Sequence, residues 1–202
     1  VAESQYPMQF IQNHPDGLIA YKPAVYIYPN EDIQIEVKVD AQVIRSEPEY
    51  GQGWKVYVDG DGKIEDRYDY LFYEADIGMP EMPEKGWSVS GYELPGFLNK
   101  LLDDHNLEAK EKEQFMEYWL GVLDAEYYVI YSLDEDILDD LMRLVIEPEP
   151  DHVSRIFLVF KETDDKIDIE APIIDPFVRE GFYVTEWGGS IIDDEGALVQ
   201  VE

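Results

Sequence analysis

An α+β fold is predicted: antiparallel β-rich sheet or sheets, with a central helical hairpin packed on the sheet. Three observations carry that prediction. Ile33, Ile35, Val37 and Val39 alternate with Gln34, Glu36 and Lys38, and a period of two marks a strand with one dry and one wet face. Strand-like runs fill the first and last thirds of the chain, while apolar residues in the middle recur at helical spacing. The hydrophobic fraction is 45% and aromatics make up 13%, against a net charge of -31 from 46 acidic and 15 basic residues. A chain so charged and also poor in apolar residues would stay disordered; this one has the material for a packed core under an acidic surface.

In chain order, residues 1–20 carry Pro7, Pro15, Asp16 and Gly17 with no sustained period, and read as a lead-in segment. Residues 21–192 read as a single α+β domain and 193–202 as an acidic, loose tail. The first strand is Ala24–Tyr28, stopped by Pro29 and Asn30. Trp54, Val56 and Val58 repeat the alternation and run into Asp59-Gly60-Asp61-Gly62. Tyr68–Ala75 and Gly86–Ser90 follow as strands.

After Pro95-Gly96, Phe97, Leu98, Leu101 and Leu102 recur at helical spacing, and Asn106 suits a left-handed terminator. A second helix, from about Glu108 to Ala125, carries Phe115, Met116, Trp119, Leu120 and Leu123 as its stripe, with Glu108 and Glu111 at the positive end of its dipole. Strands return at Tyr127–Tyr131, Leu144–Ile146, Ile156–Phe160 and Phe182–Trp187, the last ended by Gly188-Gly189. Ile156–Phe160 is apolar on both faces, which implies a central strand covered on both sides.

Composition narrows the function classes. The absence of cysteine excludes disulfides, thiol nucleophiles and Cys-ligated zinc. Nucleic-acid affinity comes from Lys and Arg displacing counterions at phosphates, so no nucleic-acid partner is expected of so acidic a chain. Anionic membrane surfaces are disfavoured for the same reason. No run approaches the roughly 18 apolar residues of a span, so the domain itself is not expected to insert in a membrane. A glycan or a protein remains as the ligand class. Val1–Tyr6 have neither the basic start nor the apolar run of a signal peptide.

Asp59-Gly60-Asp61-Gly62 invites a calcium reading. An EF-hand needs oxygen ligands at positions 1, 3, 5 and 12 and Gly at 6; with Gly62 at position 6, Tyr57 and Tyr68 fall at positions 1 and 12. A turn between strands explains the run better. No cofactor is expected, beyond weak surface calcium. Gly86-Trp87-Ser88-Val89-Ser90 departs from a nucleophile elbow at its fifth position. His14, His105 and His152 are scattered, so no metal site is expected.

Two carboxylates are more informative. Glu74 is in phase with Tyr70 and Phe72, and Glu186 with Phe182 and Val184, so each projects from the apolar face of a strand near its end. Paired acids among aromatics are what glycoside hydrolysis uses; the plainer reading is structural carboxylates held by Arg155 or Arg179. Tyr70 and Trp187, beside these acids, are the candidate ligand-binding aromatics, because Tyr and Trp combine an apolar ring with a polar tip.

Lys22-Pro23-Ala24-Val25-Tyr26-Ile27-Tyr28-Pro29, Tyr68–Glu74, Glu117-Tyr118-Trp119-Leu120 and Glu186-Trp187-Gly188-Gly189 occur in a characteristic order, with Pro148-Glu149-Pro150-Asp151 and then Arg155 between the last two. Together they resemble an uncharacterised family of bacterial proteins, found in secreted, lipoprotein and cell-surface chains of Gram-positive organisms. The resemblance spans roughly residues 22–190 and implies an extracellular or cell-surface location. It implies no catalytic residues, and the acidic tail departs from it. The function expected is a binding or structural module. The alternative is a carbohydrate-active hydrolase using Glu74 and Glu186.

Overall fold

The computed structural model describes residues 17–201, so most of the expected lead-in, His14 included, lies outside the described residues. Among the described residues the fold is mixed α+β, with mostly antiparallel strands and three helices. Strand β1 is Leu18–Tyr28, β2 Ile33–Asp40, β3 Gln42–Glu47, β4 Trp54–Val58, β5 Leu71–Gly78 and β6 Trp87–Ser90. Helices α1 (Leu94–Asp104) and α2 (Ala109–Val122) come next, then β7 (Tyr127–Ser132), α3 (Glu135–Met142), β8 (Arg143–Glu147), β9 (His152–Thr163) and β10 (Tyr183–Ile192).

Seven strands form one sheet in the order β3-β5-β1-β10-β9-β7-β6, and three form a second in the order β4-β2-β8. Every neighbouring pair is antiparallel except β9 and β10. The large sheet is dry on both faces. Alternate residues of β1 and β9 explain how: Val25, Ile27, Phe157 and Val159 pack against the small sheet and α3. Ala24, Tyr26, Leu158 and Phe160 pack against α1 and α2. The expectation that Ile156–Phe160 is covered on both sides matches this placement, since all five residues are buried.

Several boundaries differ from the sequence reading. β1 begins at Leu18, inside the expected lead-in, because Leu18 and Ala20 belong to one core and Ile19 to the other. β3 and α3 were not anticipated: β3 is a half-exposed edge strand and α3 is too short to display a period. β10 runs through Gly188-Gly189 instead of stopping there. A Cβ on Gly189 would lie 2.5 Å from the Leu158 carbonyl oxygen and 2.7 Å from the Trp119 ring, so the glycine is what lets the α2 tryptophan lie on the sheet. The acidic tail is also docked, with Val199 N–H donating to Ile191 O at 2.9 Å and Leu198, Val199 and Val201 packed on the core.

Parallel neighbours need a long crossover. Here it is the irregular stretch 164–182, which runs along the helical face. Phe177 N–H donates to His105 O at 3.0 Å, Asn106 Nδ2 to Phe177 O at 3.0 Å and Arg179 Nε to Asn106 O at 2.7 Å. The His105 ring lies 5.4 Å from the Phe177 ring, and neither of its nitrogens has a hydrogen-bond partner among the described residues. Burial lowers the His105 pKa below 6.5, against the opposing pull of Asp104 and Asp175.

A depressed histidine makes the unfolded chain bind the proton more tightly, so its stabilisation is present above pH 6.5 and lost as pH falls through the folded value. Urea unfolding of the protein and of His105→Phe should therefore diverge as pH drops below 6.5, the native chain losing more stability. Parallel pH curves would show that His105 contributes nothing to this dependence.

Candidate functional site

The structure separates the two glutamates. Glu186 is 3% exposed on β10; it accepts Tyr73 Oη at 2.7 Å and Arg155 Nε at 2.6 Å. Arg155, on the neighbouring β9 and in register with Glu186, also donates to Met142 O at 3.0 Å and Asp139 Oδ1 at 3.3 Å. This knot lies between the large sheet and α3. Burial, with the adjacent Glu186, pushes the Tyr73 hydroxyl well above its ordinary range.

Glu74 follows Tyr73 on β5, and successive strand residues point to opposite faces, so Glu74 projects to the α2 side. Its Oε1 lies 3.6 Å from Arg45 Nη1. Burial raises its pKa, while Arg45 and then Lys22 pull it down. The two carboxylates thus face opposite sides of one sheet, each beside its own arginine. They share no cleft, and the paired-acid geometry that motivated the hydrolase reading is not formed.

Trp187 is 0% exposed. Its Nε1 donates to Tyr26 Oη at 3.3 Å and its ring meets Phe115 at 5.2 Å; a ring enclosed this way offers no face to a ligand. The Asp59–Gly62 run is a turn held by the Asp59 carboxylate and by Asp32 of the loop between β1 and β2. Asp59 Oδ1 accepts the backbone N–H of Asp61 at 3.0 Å and of Lys63 at 2.8 Å, and Asp32 accepts Gly60 N–H and the Tyr57 hydroxyl.

Tyr70 is different, for it is half-buried on a groove of about 240 Å³. The groove is shaped by an irregularity in β1. Pairing of β1 with β10 shifts between Tyr21 and Ala24, and with β5 between Ala20 and Ala24. The residues left out of the ladder are Lys22 and Pro23, and a proline has no N–H to give a ladder. Lys22 adopts φ 57°, a conformation that costs a residue with a Cβ about 1–2 kcal/mol. Its ammonium donates to Tyr70 Oη at 3.2 Å and sits 4.3 Å from the Phe72 ring centroid and 5.1 Å from that of Tyr70.

Across the groove, Arg67 follows two more left-handed residues, Glu65 at φ 51° and Asp66 at φ 53°. Its guanidinium carbon lies 4.9 Å from the Tyr68 ring. Gln114 of α2 closes the groove, with its Oε1 accepting the Tyr26 hydroxyl. Among the described residues, three of the four non-glycine residues with positive φ therefore flank this one region; the fourth, Asn106, follows α1. Such strained positions cluster at functional sites.

The ion pairs single out the same place. Of the 15 Lys and Arg residues, Lys22, Arg67, Arg143 and Lys166 have no carboxylate within 4.0 Å among the described residues. Two of these four line the groove. With acids outnumbering bases 46 to 15, a cation that avoids a carboxylate is unusual. Here aromatic faces hold the charges in place by cation–π attraction and do not neutralise them.

Two larger recesses offer less. One of about 560 Å³ on the outer face of the small sheet has its lysine, Lys55, already 2.6 Å from Glu36. The other, of about 480 Å³, sets Lys166 beside Glu93 under the exposed Tyr92.

Sequence reasoning reached Tyr70 but missed Lys22, Arg67 and Gln114. The lysine stood in the motif Lys22-Pro23 at the head of an apolar run, which was the one available signal. Which cations go unpaired depends on contacts distant in sequence. Fold and site together define a two-sheet α+β domain with a small cationic, aromatic groove at a strand bulge. No family model, curated protein or solved structure matches the chain.

Proposed function

We propose that this chain is a non-catalytic binding domain of a secreted or cell-surface bacterial protein, and that its ligand is a glycan held in the Lys22–Arg67 groove. The observation that carries the reading is the pair of un-neutralised cations fixed on the faces of Tyr68, Tyr70 and Phe72. Tyrosine suits a saccharide because its ring packs on apolar C–H surface while its hydroxyl meets the sugar's own. The groove volume, about 240 Å³, falls below the ~300–1,000 Å³ of sites that enclose a whole small molecule. It therefore fits one residue of a longer chain. The surface location follows the motif resemblance, and α1 and α2 are read as an antiparallel hairpin that braces the groove through Gln114. Among the described residues no helix is long and apolar enough to cross a membrane.

A glycan array probed with the protein tests this. Retention on a defined subset is expected, with Arg67→Ala and Tyr70→Ala each weakening it roughly tenfold, a loss of about 1.4 kcal/mol. Neither change should move the melting temperature much, because Arg67 is exposed and Tyr70 half-buried. An array on which nothing is retained would remove the reading.

A further inference from the structure

The polar groups of the groove narrow its ligand further, on the footing that the ligand is a glycan. We infer that the groove recognises a single carboxylate-bearing sugar residue within an otherwise neutral saccharide. The lining supplies the Lys22 ammonium, the Arg67 guanidinium and the Gln114 amide N–H groups as donors. Its acidic members are Glu47 and Asp69, and Asp69 is engaged 3.0 Å from Lys63. Donors in excess call for an acceptor-rich, negative partner, and the planar fork of arginine matches a carboxylate through two parallel hydrogen bonds. Among the described residues neither Lys22 nor Arg67 has a carboxylate within 4.0 Å, although Glu74 feels the Lys22 charge from further off. Breaking an existing ion pair is not required.

The rest of the molecule limits how many such groups the ligand carries. The net charge of -31 means that any further carboxylate beyond the groove meets a like-charged surface. At physiological ionic strength charges interact over about 8 Å, and at 0.01 M over about 30 Å. A uniformly acidic polymer is therefore repelled along its length, whereas one isolated acid is not. The site selects for sparse charge.

The test uses three tetrasaccharide probes: neutral glucose units, the same chain with one terminal glucuronic acid, and a chain of glucuronic acid throughout. Affinities are measured by calorimetry at about 0.01 M and about 0.15 M salt. The singly acidic probe is expected to bind roughly tenfold tighter than the neutral one. The fully acidic probe should be weaker than the singly acidic one at low salt, and gain on it as salt rises. Lys22→Gly and Arg67→Ala should both erase the preference for the singly acidic probe. The glycine variant adopts φ 57° without a Cβ penalty, so it removes the charge and leaves the fold in place, checked by an unchanged melting transition.

Equal affinity for the neutral and singly acidic probes would overturn the inference while leaving the glycan reading standing. Tightest binding of the fully acidic probe at low salt would overturn the selection for sparse charge. Silence of all three probes would overturn the inference, and only silence across the whole array would remove the glycan reading with it.

Discussion

Arg155→Met should destabilise the protein by about 3–5 kcal/mol, the cost of leaving a buried charge without its partner. The charge left behind is Glu186, 3% exposed and then held by the Tyr73 hydroxyl alone. Glu186→Leu should cost less, because the Arg155 guanidinium, whose side chain is 2% exposed, keeps Asp139 Oδ1 at 3.3 Å and Met142 O at 3.0 Å. Making both changes together should cost much less than the sum. Buried ion pairs replaced by apolar side chains of similar volume are often neutral in stability, since the desolvation penalty disappears along with the attraction. Urea denaturation of the two single variants and the double variant closes a mutant cycle, in which a large coupling energy is expected. Additive losses would mean that the pair is not an electrostatic unit. The cycle also bears on function, since an unfolding penalty of this size marks Glu186 as part of the frame joining β9, β10 and α3.

The second large effect is Trp187→Ala, for which a loss of about 3–5 kcal/mol is expected from the cavity left behind. Trp187 fills the helix-side core between Tyr26 and Phe115, and its removal also deprives the Tyr26 hydroxyl of a donor. Tyr70→Ala on the same face should cost far less stability and act on binding instead. Thermal denaturation read beside glycan retention separates the two. If Trp187→Ala kept its melting temperature and lost ligand, the groove would have been assigned to the wrong aromatic residue.

These two residues show where the sequence could and could not be read. The in-phase placement of Glu186 with Val184, and of Trp187 on the opposite face, was visible from alternation along one strand. Alternation assigns a side chain to a face. It does not say what covers that face, and here both faces of the large sheet are covered. Alternation places Glu74 and Glu186 each on an apolar face for the same reason. That they point away from each other follows from the pairing of β1 with both β5 and β10, which joins three segments well separated in the chain. Gly188-Gly189 reads as the end of a strand in the sequence, yet β10 runs through it to Ile192. Its role is set by Trp119, a residue on a distant helix.

What the sequence by itself determined is therefore local and compositional. The α+β class, the period-two strands β2 and β4, the positions of α1 and α2 and the acidic surface all follow from residue type and spacing within short windows. Tertiary structure decided the rest: the two-sheet layering, the single parallel pair, the docked tail, and which cations are spent on carboxylates. The physical reason is that burial and ion pairing are properties of contacts, and in a sheet protein most contacts join residues far apart in sequence. The groove depends on this most of all. Lys22 is exceptional only because a bulge turns it onto Phe72 of β5 and Tyr70 just before that strand, and no window around Lys22 contains them.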